Sequence, residues 1–366
     1  MLLTLTSATA GEVFTYIGYV LLALVALMIM IVIHESGHYL AGKLLGFGID
    51  EFAIGFGPPI LKKRNKKTGE LFTLRILPLG GFCAFRGEDA EEGEDDPTAF
   101  NRQKPWKRLI VLFSGAFFNF LSAILIITVY FTAYGQVLPV VNTAYEVNGQ
   151  ENVCRPGDVI LAKDGLQVNI MTYDDILGTF DDVKTGTKFK ILRDGKAMTV
   201  IVTVGTYTID DEEFLEEGES PERTGAGIIY GAQSVKLGFF RSLGRSFGFS
   251  FFIVFKILAS IGALLTGQVG LEAAGGTITV ITTIAEVSST GFGSFLYVVA
   301  IISANLAVMN LLPLPALDGS RMVFTLIEMI FRRPVPRKVE AVIHVVGLVL
   351  LVLLAVFLDI FHMVRT

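Results

Sequence analysis

Residues 34 to 38 read His-Glu-Ser-Gly-His, at the inner end of a long apolar run. Two imidazoles four residues apart share one face of a helix, and each can offer a nitrogen to Zn²⁺ at about 2.0–2.1 Å. The adjacent Glu35 carboxylate can take a proton from the attacking water. The motif therefore predicts the centre of a zinc hydrolase. The alternative is a pair of histidines, His34 and His38, with only a packing role.

The third zinc ligand must come from elsewhere in the chain, because a catalytic zinc takes three protein ligands and leaves one position open. Asp318 closes the apolar run 287–317, in the sequence N-L-L-P-L-P-A-L-D-G at residues 310–319. Its prolines remove helix hydrogen bonds and Gly319 lets the backbone turn, which predicts a broken membrane helix that places a ligand. The alternative is a proline-ended helix capped by Asp318. His344 and His362 are weaker ligand candidates, because lone histidines are more often packed or interfacial.

The composition places these residues in a membrane protein. Of 366 residues, 52% are hydrophobic and only 18% are charged, against about 25% in an average soluble protein. The apolar content excludes a disordered chain, and the net charge of −5 argues against a nucleic-acid partner. Four runs with few or no charges are long enough to cross a bilayer core of about 30 Å. They cover residues 13–33, 109–134, 287–317 and 341–358.

A fifth stretch, residues 246–271, is ambiguous as a span. Lys256 interrupts it, and four glycines weaken it as a helix. Parity also argues against a crossing: one extra crossing would carry Asp318 to the side of the bilayer opposite His34. The stretch is therefore predicted to lie on the membrane surface or to be re-entrant.

The charges of the connecting segments predict the orientation. Residues 43–108 carry twelve lysines and arginines, and four more follow the third run, so both segments should be cytoplasmic. Residues 134–234 carry seventeen acids against eight bases and should be external. The amino terminus is then outside.

The two longest connections have the patterns of folded elements. In the external segment, Asp164-Gly165 and Asp194-Gly195 predict tight turns between strands, and residues 173–180 predict a helix, so a small α/β module is expected. The acidic run 210–222 is predicted to be a solvated linker. In the cytoplasmic loop, apolar strand-like runs broken by glycine and proline predict hairpins that dip into the membrane.

Several motifs together resemble the bacterial site-2 proteases of the regulator-of-sigma-factor type, which are zinc proteases that cut inside the bilayer. The motifs are H-E-S-G-H at 34–38, L-P-L-G-G-F at 77–82, P-W-K-R at 105–108, S-G-A-F-F-N at 114–119 and N-L-L-P-L-P-A-L-D-G at 310–319. Residues 155–165 are similar to the core of a PDZ domain.

The resemblance carries functional expectations. It implies that His34, His38 and Asp318 bind zinc and that Glu35 is the general base. It further implies that 71–85 forms an edge strand that pairs with extended substrate. The residues implied to lie near substrate or transition-state oxygens are Asn119, Asn310, Leu77, Gly80 and Gly81. For Asn119, a hydrogen bond between helices is the alternative.

The predicted fold is a polytopic α-helical membrane protein with about four transmembrane helices, membrane-associated β-hairpin elements and one external α/β PDZ-like domain. The predicted segments are 1–45, first transmembrane helix with the zinc motif; 46–108, cytoplasmic loop with re-entrant hairpins; 109–134, second transmembrane helix; 135–205, external PDZ-like domain; 206–234, acidic linker and strand; 235–286, membrane-surface or re-entrant segment; 287–331, third, broken transmembrane helix; and 332–366, cytoplasmic turn and fourth transmembrane helix.

The predicted function is that of an intramembrane zinc endopeptidase of the bacterial plasma membrane. Its cofactor is Zn²⁺, and its partners are the lipid bilayer and single-span transmembrane proteins, such as membrane-anchored anti-sigma factors or remnant signal peptides. The sequence gives no indication of oligomeric state. The rival function is a metal transporter or sensor. Glu35 favours the hydrolase, because a transport site needs no general base beside its first ligand.

Overall fold

The computed structural model describes residues 9–88, 96–209, 220–271 and 274–365. The chain divides into two compact units, residues 128–252 and the remainder, so the division falls within two long helices. The helices are α1 Ala10–Leu45, α2 Pro105–Ala133, α3 Tyr173–Phe180, α4 Phe239–Leu265, α5 Thr277–Ser289, α6 Phe292–Leu311, α7 Asp318–Phe331 and α8 Arg337–Arg365. The strands are β1 Ile49–Arg64, β2 Leu71–Phe85, β3 Gln136–Ala144, β4 Val159–Lys163, β5 Leu166–Gln167, β6 Lys188–Arg193, β7 Lys196–Ile201, β8 Gly205–Thr208, β9 Glu222–Gly225 and β10 Ile228–Val235.

Helix α1 carries the zinc motif and is 36 residues long, about 54 Å at 1.5 Å per residue. It starts at a capping box in which the Thr9 hydroxyl accepts from the Glu12 amide and the Glu12 carboxylate accepts from the Thr9 amide. It ends at Gly46, which adopts the left-handed conformation typical of a helix C-cap. His34 lies in its last third, within the apolar part of the helix.

Strands β1 and β2 form a hairpin that is folded back on itself. The first half of β1 pairs on one side with 81–85 and on the other with 71–74, and its second half also pairs with 71–75. The four segments thus lie in the order 81–85, 49–54, 71–75 and 59–64. In this order, segment 81–85 is an edge of the sheet, and among the described residues it pairs with a strand on one side only.

Helices α1, α2 and α6 pack around a shared apolar cluster. Ala26 and Met30 of α1 contact Val299 of α6, and Ile126 of α2 packs against the same cluster. Ser303 of α6 donates a hydrogen bond to the Asn119 carbonyl of α2. These contacts, together with those of the zinc motif described below, show that α1 and α6 run in the same direction and α2 in the opposite one.

Five described helices are long and apolar enough to cross a membrane, judged by length and composition only: α1, α2, α4, α6 and α8. This is one more than the predicted four. The additional one is α4, which contains most of the ambiguous stretch. Contrary to expectation, Lys256 and two of the four glycines, Gly248 and Gly262, lie inside α4 without breaking it. Gly267 follows the end of α4 in the left-handed conformation.

The predicted third span, residues 287–331, is not a single broken helix. It contains the end of α5, a break at Thr290–Gly291, then α6, and finally α7 after a six-residue connection. Helix α5 is tied to α8, because the Asp359 carboxylate accepts hydrogen bonds from the Ile278 and Thr279 amides at the first turn of α5. The span that leads to Asp318 is therefore α6.

The unit of residues 128–252 contains an antiparallel sheet in the order β10, β3, β4, β6 and β7, with β5 paired to β4. Both predicted Asp-Gly turns are present: Asp164, Gly165, Asp194 and Gly195 all have positive φ, as a two-residue hairpin turn of type I′ requires. Helix α3 covers the predicted range. The predicted boundary at residue 205 was too early, because β10 pairs with β3 along its whole length. Most of the acidic linker, residues 210–219, lies outside the described residues.

Candidate metal centre and active site

Three candidate ligand atoms, two from neighbouring turns of α1 and one from the start of α7, converge at one point. The Nε2 atoms of His34 and His38 lie 3.0 and 3.2 Å from Oδ2 of Asp318, and 3.1 Å from each other. A tetrahedral zinc with bonds of about 2.0–2.1 Å has ligand atoms roughly 3.3 Å apart. The three atoms therefore fit three corners of a zinc tetrahedron with little adjustment. The side chain of Asp318 is 15% exposed, and both histidines are buried.

The hydrogen bonding of His38 suits a metal ligand. Its Nδ1 lies 2.8 Å from the Val111 carbonyl oxygen, which can only accept, so Nδ1 carries the proton. This leaves a lone pair on Nε2, pointed at the convergence point. For His34, Nδ1 is buried without a hydrogen-bond partner among the described residues.

Two glycines allow α1 and α2 to approach closely enough to form the site. A Cβ on Gly115 of α2 would lie 2.4 Å from Nε2 of His38 and 2.7 Å from Cε1 of His34. A Cβ on Gly37 of α1 would lie 2.4 Å from the Ser114 carbonyl oxygen. Both distances are far below an ordinary contact, so only glycine fits at these two positions.

Asp318 is the first residue of α7 and follows the six-residue connection after α6, within the predicted segment 287–331. Its carboxylate contacts the two histidines, and Leu317 is the N-cap residue. Gly319 has a different role from the predicted turn, because it is helical and its φ is not positive. A Cβ there would lie 2.2 Å from the Leu312 carbonyl oxygen, so Gly319 allows α7 to pack against the end of α6.

Glu35 lies between the histidines and the sheet edge formed by 81–85. A Cβ on Gly81 would lie 3.6 Å from Cγ of Glu35, and the Cys83 backbone is within hydrogen-bonding reach of its carboxylate. The general-base candidate is therefore beside both the ligand cluster and the free edge of the hairpin.

A cleft of about 740 Å³ opens onto this centre. Most of the groups that line it come from α1, the 81–85 segment, α7 and α8, and its lining includes Glu35, His38 and Asp318. Its remaining lining residues are Phe82, Cys83, Ala84, Phe85, Glu88, Phe100, Leu112, Ala316, Arg321, Arg337, Glu340, Ala341, His344, Val345 and Leu348. The ion pair between Arg321 and Glu88 joins α7 to the residues that follow β2.

The other predicted site residues are not in the described lining of this cleft. Asn119 is buried one turn beyond Gly115 on the same face of α2, and its Oδ1 has no partner among the described residues. Asn310 donates to the Leu306 carbonyl of its own helix. Leu77 pairs with Phe56, and a Cβ on Gly80 would clash with the Phe56 ring, so both lie where the hairpin folds back.

Sequence reasoning missed two residues of the centre. Gly115 belongs to the motif S-G-A-F-F-N at 114–119, but a glycine inside an apolar run does not indicate which residues it will contact. His344 was set aside as a lone histidine, yet it lines the cleft and contacts the turn before Asp318. Neither residue has a spacing signal that links it to the zinc motif.

Comparison with known proteins adds an independent observation. The sequence model of peptidase family M50 matches residues 22–354, a range that contains all three ligand candidates. A protein of Clostridium perfringens, named as a candidate zinc metalloprotease, is 31% identical over 350 residues, covering 93% of this chain and 97% of the relative. Relatives with the same type of name are 32% identical over 341 residues in Campylobacter jejuni (90% of this chain, 88% of the relative) and 30% identical over 335 residues in Fusobacterium nucleatum (90% and 94%).

Proposed function

Because the chain belongs to peptidase family M50 and is a zinc metallopeptidase of the membrane, we propose that it cleaves peptide bonds inside transmembrane segments of single-span proteins. Membrane-anchored anti-sigma factors and remnant signal peptides are the expected substrates. The observation that carries this proposal is the depth of the site. His34 lies nine residues before Lys43, which is the next charged residue after Glu35. At 1.5 Å per residue, His34 is therefore roughly 14 Å from Lys43 along an apolar helix.

We assign zinc binding to His34, His38 and Asp318. Zinc, when bound, supplies a Lewis acid that makes water nucleophilic near neutral pH. The Glu35 carboxylate accepts the proton of the attacking water and returns it to the amine that leaves. The Val111 carbonyl holds the His38 ring in the required tautomer.

The same geometry supports our proposal that substrate binds by strand addition to segment 81–85. A transmembrane helix must unwind locally before its peptide bonds can be attacked, and its freed backbone groups then need partners. Within the described part of the chain, segment 81–85 has one side without a partner strand, and Phe82, Cys83, Ala84 and Phe85 line the cleft. Of the predicted strand 71–85, we assign this function to the last five residues, with Gly81 allowing close approach to Glu35.

We propose further that the protein lies in the bacterial plasma membrane with its amino terminus and its α/β domain outside. The domain acts as a PDZ-like module that filters substrates by size. The charge asymmetry supports this orientation. A cysteine at Glu151, whose side chain is 84% exposed, should react with an impermeant thiol reagent in intact cells, whereas one at Lys67 should not. The reverse pattern would contradict the orientation. Native Cys154 is 1% exposed and cannot serve as this probe.

Helix directions support the prediction that α4 does not cross. Since α1 and α6 run the same way and α2 runs the opposite way, an even number of crossings must separate α2 from α6. If α4 crossed, α5 would have to return, but its 13 residues span only about 20 Å. We therefore place α4 along the outer membrane surface.

The decisive experiment is incubation of the purified protein with a model transmembrane substrate. Cleavage should occur within the apolar segment, stop when a chelator removes the metal and return when zinc is restored. A soluble peptide of the same sequence as the substrate's external flank serves as control and should stay intact. Cleavage of the soluble peptide alone, or cleavage that survives chelation, would refute the proposal.

A further inference from the structure

Asp318 is preceded by a tight turn with an unusual residue at its third position. The Leu317 amide donates to the Leu314 carbonyl at 3.2 Å, which closes a turn with Pro315 second and Ala316 third. The φ of Ala316 is +71°. Proline followed by positive φ is the pattern of a type II turn, whose third position strongly favours glycine. An alanine here is disfavoured by its own Cβ, so another contact must hold the turn.

Helix α8 supplies that contact. The Ala316 amide donates to Nδ1 of His344 at 3.1 Å. One turn further along α8, Gly347 packs directly against Pro315. A Cβ on Gly347 would lie 2.0 Å from the Cβ of Pro315, so only glycine fits there. The His344 ring is itself fixed by edge-to-face packing against Phe324 of α7, with centroids 5.9 Å apart.

The turn is directly connected to the metal centre. Ala316 is two residues before Asp318, and Gly319 packs tightly against the last carbonyls of α6. The connection from α6 to Asp318 is thus held in place at both ends. A change in the backbone conformation at Ala316 must therefore move the Asp318 carboxylate.

We propose that His344 is a positioning residue for the metal centre: its Nδ1 holds the Pro315–Ala316 turn in the conformation that brings Asp318 to His34 and His38. The inference rests on the zinc-binding role proposed for Asp318. His344 acts on Asp318 through the backbone and is not one of the three residues to which zinc binding is assigned. The same histidine lines the cleft, as do Phe82, Cys83, Ala84 and Phe85 of segment 81–85.

The test compares two substitutions of similar shape in the purified full chain. In His344→Asn, the amide oxygen falls near the place of Nδ1 and keeps an acceptor, whereas His344→Leu has no acceptor. Zinc affinity is measured by competition with a chromogenic chelator. We expect His344→Leu to bind zinc about 10–100 times more weakly, the range for loss of groups that orient ligands, and His344→Asn to stay within about threefold of wild type.

A rescue variant separates positioning from a general loss of structure. Glycine adopts positive φ without strain, so Ala316→Gly added to His344→Leu should restore zinc affinity. His362→Leu, on the same helix, is the matched control and should bind zinc like the wild type. Equal affinities for His344→Leu and His344→Asn, or no recovery in the double variant, would overturn the inference. If His344→Leu alone does not fold, the double variant still tests the inference. A folded double variant that binds zinc supports the inference, and a double variant that does not recover zinc binding overturns it.

The zinc measurement is independent of proteolysis. If the variants follow the expected affinities but the wild type cuts no transmembrane substrate, the proposed function fails and the inference stands. If the wild type cuts such substrates while His344→Leu keeps full affinity, only the inference fails.

Discussion

Gly115→Ala is expected to inactivate the metal centre by adding a single methyl group. The new Cβ would lie 2.4 Å from Nε2 of His38 and 2.7 Å from Cε1 of His34, where an ordinary contact begins at 3.4 Å. Either α2 or the imidazoles must therefore move by about 1 Å. A displacement of this size typically costs about 100-fold in rate, or about 2.7 kcal/mol. Zinc affinity should fall as well, because the displaced atom is the His38 nitrogen proposed to bind zinc.

The assay measures zinc content and cleavage of a transmembrane substrate by the same preparation. Gly18→Ala in α1 is the matched control, since a Cβ there meets nothing within 4 Å. That change should leave zinc and turnover unaffected and stabilise the helix by up to about 1 kcal/mol. Full zinc occupancy and normal turnover in Gly115→Ala would show that the helices do not approach as closely as described.

Three further predictions follow from the site, the helix directions and the buried thiol. Glu35→Gln should keep zinc and lose turnover, whereas Asp318→Ala should lose both; metal analysis of Asp318→Ala that gave full occupancy would exclude it as a ligand. Single cysteines at Gly244 and Thr266, near the two ends of α4, should react from the same side of the membrane; labelling from opposite sides would show a crossing. Burial raises the pKa of the Cys154 thiol to about 11, while an unfolded thiol ionises near ~8.5. The reactive thiolate is therefore suppressed in the folded domain up to about pH 11, and labelling at pH 8.5 should be at least roughly 100-fold slower than in denaturant. Equal rates would contradict burial.

Local patterns predicted the elements that depend on neighbours in sequence. The Asp-Gly pairs specify hairpin turns because both positions need positive φ, and α3 covers the predicted range 173–180. Segment boundaries that depend on distant partners were less accurate. Strand β10 lies beyond the predicted end of its domain, since only pairing with β3 defines it as part of the sheet. Helix α4 stays continuous through Gly248, because the low helix propensity of one glycine has a small effect on stability compared with tertiary packing.

The sequence by itself determined the chemistry of the centre. A spacing of four residues puts His34 and His38 on one helix face regardless of the rest of the fold, and the motif N-L-L-P-L-P-A-L-D-G pointed to Asp318. Only the tertiary structure decided what surrounds these groups. The close contact at Gly115, the free edge at 81–85 and the bond from Ala316 to His344 each join segments far apart in the chain. Such contacts leave no local sequence pattern. They depend on how closely separate elements pack, whereas a sequence pattern reflects the periodicity of a single helix or strand.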